Sequence, residues 1–123
     1  MPTIKEWMKE VARVEGAHGW TSKVNPGDDG KFCEKLLLVI SEIVEALEEF
    51  RAGHALQEVY FPISDAHLPK LKDKPEGIPI ELADAVIRIF AFCESNSIDL
   101  EEAIRTKNAY NETRPWRHGG KRV

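Results

Sequence analysis

The chain has 123 residues, 42% of them hydrophobic and 31% charged, with a formal net charge of −4 and a pI near 5.6. That composition suits one domain with enough apolar content to fold unaided, which argues against native disorder and against a need for disulfides or a structural metal. The acidic balance argues against a protein that coats nucleic acid or an anionic membrane.

The pattern predicts a first helix over residues 3–18, with Ile4, Trp7, Met8, Val11 and Val14 at helical spacing. Thr3 followed by Glu6 fits a capping box, and Gly16 and Gly19 mark the end. Trp7 sits on this apolar stripe and reads as core. Thr21–Gly30, TSKVNPGDDG, is turn chemistry. A second helix follows over 30–52, where Leu36, Leu37, Val39, Ile40, Ile43, Val44, Ala46, Leu47 and Phe50 share one broad arc expected to face the core. Ser41, Glu42, Glu45, Glu48 and Glu49 lie opposite, with Leu38 among them. Residues 53–78, with Pro62, Pro69, Pro75 and Gly77, read as an irregular insertion loop. Tyr60 and Phe61 could pack on the core, and Lys70, Lys72 and Lys74 could meet a phosphate, although a solvated face is the simpler reading for them.

A third helix is expected over 79–95, with Pro79 near its start and Leu82, Val86, Ile89, Phe90 and Cys93 as its core face. A fourth spans 99–113, with Asp99 as N-cap and Arg114-Pro115 beyond its end. Residues 114–123 form a basic tail. Cys33 and Cys93 stand in no metal or redox spacing and fall on apolar faces, so both are expected as buried, reduced thiols. The N-terminal MPTIKEWMKE has no apolar leader core, and no stretch approaches a membrane span, so a cytoplasmic protein is expected. With no alternating strand pattern and no repeat, the fold class is all-α: a single-domain bundle of four to five helices.

Two carboxylate pairs carry the chemistry. Glu42 and Glu45 are spaced i, i+3 on the second helix, and Glu81 and Asp84 likewise on the third. That spacing puts each pair on one face, with Cβ atoms about 5–6 Å apart. Two such helices side by side present four carboxylates to one point. These stay ionised together only if a cation neutralises them, and an all-oxygen ligand set selects Mg²⁺ or Mn²⁺. A solvated ExxE face is the commoner meaning of either pair alone. Charge asymmetry adds to the case: residues 105–123 hold six basic side chains against Glu112 alone, while the rest of the chain holds 11 basic and 20 acidic ones. An acidic body with a basic end can enclose a cation and a polyphosphate, or can simply carry a solvated tail.

The stretches KLLLVISEIVEALEEFRAG, GIPIELADAVIRI and KNAYNETRPWRHGGK resemble the MazG-like branch of the all-α nucleoside triphosphate pyrophosphohydrolases. The resemblance covers roughly residues 31–53 and 76–121. The family's helical ExxE followed by ExxD falls on Glu42, Glu45, Glu81 and Asp84; the stretch between, 46–80, is longer than is usual there. The resemblance implies Mg²⁺-dependent hydrolysis of an NTP or dNTP between the α and β phosphates, giving a monophosphate and pyrophosphate, with the four carboxylates as metal-binding and catalytic groups. It also implies a homodimer or a dimer of dimers, and a role in nucleotide-pool house-cleaning. Lys107 and Asn111 would lie by the nucleotide and Arg114 would neutralise phosphate.

Trp20 is a candidate for stacking on the base, with a core position the alternative. Trp116 could close the pocket or a subunit contact, and His118 reads as a tail residue. Arg88, four residues after Asp84, is expected as an intrahelical ion-pair partner, with phosphate binding the alternative. His18, His54 and His67 form no metal spacing. Two rivals stand beside the pyrophosphohydrolase. One is a non-catalytic helical module that binds nucleotides or a protein; the other is a phosphoribosyl-nucleotide pyrophosphatase. The apolar arc of the second helix spans about half its circumference, more than one thin layer needs, so a second subunit is expected to cover the excess.

Overall fold

The computed structural model describes residues 1–62 and 74–116. The expected contacts of Lys70 and Lys72, and the positions of His67 and His118, lie outside these residues. Four helices are present among them: α1 (Ile4–Ala17), α2 (Asp29–Arg51), α3 (Ile78–Ser95) and α4 (Leu100–Glu112). The chain is all-helical there, apart from one isolated antiparallel bridge between Tyr60 and Glu76. No helix in the described residues is long and apolar enough to cross a membrane.

The ends of the helices follow from local chemistry. Thr3 accepts from the Glu6 N–H at 3.1 Å and Glu6 reaches back to the Thr3 N–H at 3.3 Å, a complete capping box. Asp28 caps α2 through the Lys31 N–H at 3.0 Å, and Asp99 caps α4 through the Glu102 N–H at 3.0 Å. Gly53, with φ of 94°, follows α2 in the left-handed conformation that ends helices. Pro79 sits in the first turn of α3, where its missing N–H costs nothing.

α3 is the centre of the arrangement. α2 and α1 both pack against it, and α4 rests on α1. The small buried side chains Ala46, Ala85 and Ala91 let the helices approach, and Met8 anchors α1. Phe32 and Phe92 meet edge-on at 5.9 Å. Asn96, just past α3, ties down the loop after α1. Its side-chain oxygen accepts from the Val24 N–H at 2.8 Å, and its amide donates to the Ser22 carbonyl at 3.0 Å.

The face that α2 turns toward α3 reverses most of the sequence expectation, Ala46 and Val39 of the expected arc alone turning inward. Its buried residues are Glu42 and Ala46, flanked by the half-buried Lys35, Leu38, Val39 and Glu49. Leu36, Leu37, Ile40, Ile43, Val44, Leu47 and Phe50 are exposed. On α3, Leu82, Val86 and Ile89 are exposed too, while Glu81, Asp84 and Arg88 are half-buried. Cys33 shares the outward side of α2 and is exposed, so only Cys93 is the buried thiol expected; neither forms a disulfide. Periodicity identifies an amphipathic helix but not which face meets its own chain, and here the acidic faces meet each other.

Candidate metal centre

The inward stripe of α2 and that of α3 bring Glu42, Glu45 and Glu81 together. One oxygen from each lies within 4.8 Å of the others. Glu42 is buried, at 7% exposure, and Glu45 stays exposed at the rim. Asp84, the fourth expected member, is not in this trio. It stands beside it, half-buried, one turn after Glu81, and feels the charges of both Glu42 and Glu45.

Packing carboxylates this closely perturbs them. Burial pushes Glu81 up to about 7, helped by the approach of the Glu45 and Glu42 carboxyls and by the Asp84 charge. Burial also raises Asp84, reinforced by the Glu42 charge and opposed by Arg88 and Lys74. Burial would raise Glu42 as well, but hydrogen bonds from Arg88 and the neighbouring carboxyls leave it below its ordinary value. Oε2 of Glu81 is buried and has no hydrogen-bond partner. A buried oxygen without a donor costs free energy, and a cation satisfies it directly. Three converging carboxylates with one orphaned oxygen fit a hard divalent cation.

Arg88 answers Glu42 across the helix pair, its Nε–H donating to Oε1 at 2.8 Å. The expected intrahelical pair with Asp84 is therefore an interhelical pair with Glu42. The reason is geometric: the inward stripe points Arg88 at α2, and Glu42 is the buried acceptor there.

Beside the trio lies a cleft of about 560 Å³ between α1, α2 and α3, the size of small-ligand pockets generally. Glu10, Glu15, Ser22, Lys35, Glu42, Asp84 and Arg88 are its polar lining residues, and Trp7, Val11, Val14, Trp20, Ile87 and Ala91 the apolar ones. Trp20 is 68% exposed and stacks on His18 at 5.9 Å, so it is a wall of the cleft and not core. Trp7 is exposed and lines the same cleft, where the sequence put it in the core. Trp20 is held by its N–H bond to the Glu15 carbonyl at 3.1 Å. Ser22, buried two residues on, donates to the Glu15 carboxylate at 2.6 Å.

Lys107, Asn111 and Arg114 do not line this cleft; all three are exposed, and Lys107 lies over its own neighbour Tyr110. α4, which carries Lys107 and Asn111, packs on α1. Trp116 is exposed beyond α4. The cations that face the cleft are Lys35 and Arg88. Lys35 was missed in the sequence, though its place two turns before Glu42 puts it on the same stripe. Lys74 pairs with Glu76 at 3.9 Å.

At the far end of α2, Tyr60 donates its hydroxyl to Glu49 at 2.8–2.9 Å and stacks on His54 at 4.4 Å. His54 Nδ1 lies 2.7 Å from Glu58. Phe61 is exposed, so of the two aromatics only Tyr60 packs inward. Comparison with family models, curated proteins and solved structures finds no match.

Proposed function

We propose that the chain is a Mg²⁺-dependent nucleoside triphosphate pyrophosphohydrolase of the MazG-like class, acting on an NTP or dNTP. The observation that supports this most is the buried Glu81 oxygen, without a hydrogen-bond partner among the described residues, in a carboxylate trio whose Glu42 also lines a cleft with Trp7, Trp20, Lys35 and Arg88. Glu42, Glu45 and Glu81 would hold the cation, with Asp84 beside them. When bound, the cation neutralises the carboxylates and draws phosphate oxygens toward them.

The chain's own groups do the rest. Trp20 and Trp7 offer flat apolar surface for a base. Lys35 supplies a point charge to the phosphates. Glu45 is the exposed carboxylate of the trio and so the one with access to bulk water. It is the group placed to take a proton as a water oxygen attacks the α-phosphorus. The bond to the bridging oxygen breaks, and pyrophosphate leaves with the electron pair. Phosphoryl chemistry of this kind asks mainly for positioning and charge neutralisation. Assembly is part of the reading: the exposed apolar faces of α2 and α3 are what a second copy would cover, as a homodimer or dimer of dimers.

The test is pyrophosphate release over a panel of triphosphates with Mg²⁺, Mn²⁺ or EDTA. Activity is expected only with the cations. Glu45→Ala and Asp84→Ala should each cut the rate at least a hundredfold, about 3 kcal/mol of barrier. Full activity in either variant removes the mechanism. Cation-dependent binding without turnover would assign the chain to a nucleotide-binding module instead.

A further inference from the structure

Glu42 is claimed twice. Its Oε1 accepts from Arg88 Nε at 2.8 Å, and the same carboxylate belongs to the trio with Glu45 and Glu81. A hard cation drawing on that carboxylate would stand close to the guanidinium, and two positive charges at that range repel. Arg88 has somewhere else to go. It is half-buried, lines the cleft beside Asp84 and Lys35, and makes its one hydrogen bond among the described residues through Nε alone. The two terminal amino groups of its fork, the pair suited to bidentate contact with phosphate, are therefore uncommitted.

We infer that Arg88 is an exchangeable counter-ion: a divalent cation takes Glu42 from it, and the released guanidinium then binds phosphate oxygens in the cleft. This rests on the metal-centre reading above and adds the residue that couples cation binding to substrate binding. Before the cation arrives, Arg88 keeps a buried carboxylate from standing uncompensated. After it arrives, the same positive charge faces a polyanion one helical turn from Asp84. The exchange makes cation and phosphate binding mutually favourable, because each uses what the other releases.

The test compares wild type, Arg88→Met and Arg88→Lys by calorimetry, with Mn²⁺ alone and then with pyrophosphate at saturating Mg²⁺. Arg88→Met should bind Mn²⁺ about tenfold more tightly and pyrophosphate about tenfold more weakly, the size expected for losing one charge-assisted hydrogen bond. Arg88→Lys should fall between the two. The opposed signs are the signature, since a merely structural arginine would weaken both. Unchanged or weaker Mn²⁺ binding in Arg88→Met overturns the exchange, and unchanged pyrophosphate binding overturns the phosphate role. If wild type binds no Mn²⁺, the metal centre falls and the exchange with it; if it binds Mn²⁺ but Arg88→Met matches it for both probes, only the exchange falls. Should Arg88→Met not fold, the side-chain Nε–H resonance of Arg88 in wild type decides. It should move on adding Mg²⁺, and a stationary signal refutes the exchange.

Discussion

Replacing Glu81 with glutamine keeps the shape of the side chain and removes its titration. In the folded chain Glu81 sits at about 7 against an ordinary 4.5, raised chiefly by burial. The folded state therefore holds that proton more tightly than the unfolded state. The stabilisation is fully present below pH 4.5 and is lost as pH rises through 7. At face value the shift is worth about 3 kcal/mol; for a half-buried group in contact with solvent, about half of that survives. In a chain of this size, a change of about 1–2 kcal/mol moves the melting temperature by several degrees. With EDTA present, wild type should lose roughly that much between about pH 5 and pH 8. The Glu81→Gln difference profile reports Glu81 together with the carboxylates it touches, Glu42, Glu45 and Asp84. Glu42 shifts the other way, so its contribution is lost only as pH falls below its ordinary value. Adding Mg²⁺ should reverse the wild-type slope, since binding releases the Glu81 proton and is favoured at high pH. Circular-dichroism melts that stay parallel for the two proteins across this range would refute the reasoning.

Two other outcomes are expected. Gly77 has a φ of 127°, and a Cβ there would overlap the Glu58 carbonyl oxygen, so Gly77→Ala should cost about 2 kcal/mol or more in chemical denaturation; an unchanged midpoint would contradict the tight approach of the Tyr60–Glu76 bridge to α3. Ile40→Glu and Leu47→Glu, on the exposed apolar side of α2, should convert an oligomer to a monomer by light scattering while leaving the helical spectrum unchanged; a wild type already monomeric at micromolar concentration would contradict the covered face.

The helices were legible because their ends are chemical. Thr3, Asp99, Gly53 and Pro79 each do a local job that needs no knowledge of the rest of the chain, while the Asp28 cap lay within a stretch read only as turn chemistry. The orientation of α2 was not legible, because a helix with leucines on one side and glutamates on the other is equally amphipathic whichever side meets its own chain. One hint existed: Leu38 lies among the glutamates, and it is half-buried with Glu42. The carboxylate pairs could be read from spacing, and three of the four meet. Asp84 stands one turn along α3 from Glu81, outside the trio. Lys107, Asn111 and Arg114, expected beside the nucleotide, do not line the cleft of their own chain, and the packing of α4 on α1 is a tertiary fact with no local signal. Lys35 was available from its two-turn spacing to Glu42.

The reversed α2 links the site to the assembly. Turning the Glu42 side of α2 toward Glu81 on α3 brings carboxylates together in a part-buried place, which costs free energy that apolar packing would not. The same rotation turns Leu36, Ile40, Ile43 and Leu47 outward and gives up their burial within the chain. On the proposed reading, a divalent cation would add to Arg88 in compensating the first cost, and a second copy would compensate the second. The two would act on opposite sides of one helix. Anything that loosens α2, whether loss of the cation or loss of the partner, should therefore weaken both together. Melting curves with Mg²⁺ should then depend on protein concentration more steeply than curves with EDTA, and concentration-independent curves in both conditions would break the link.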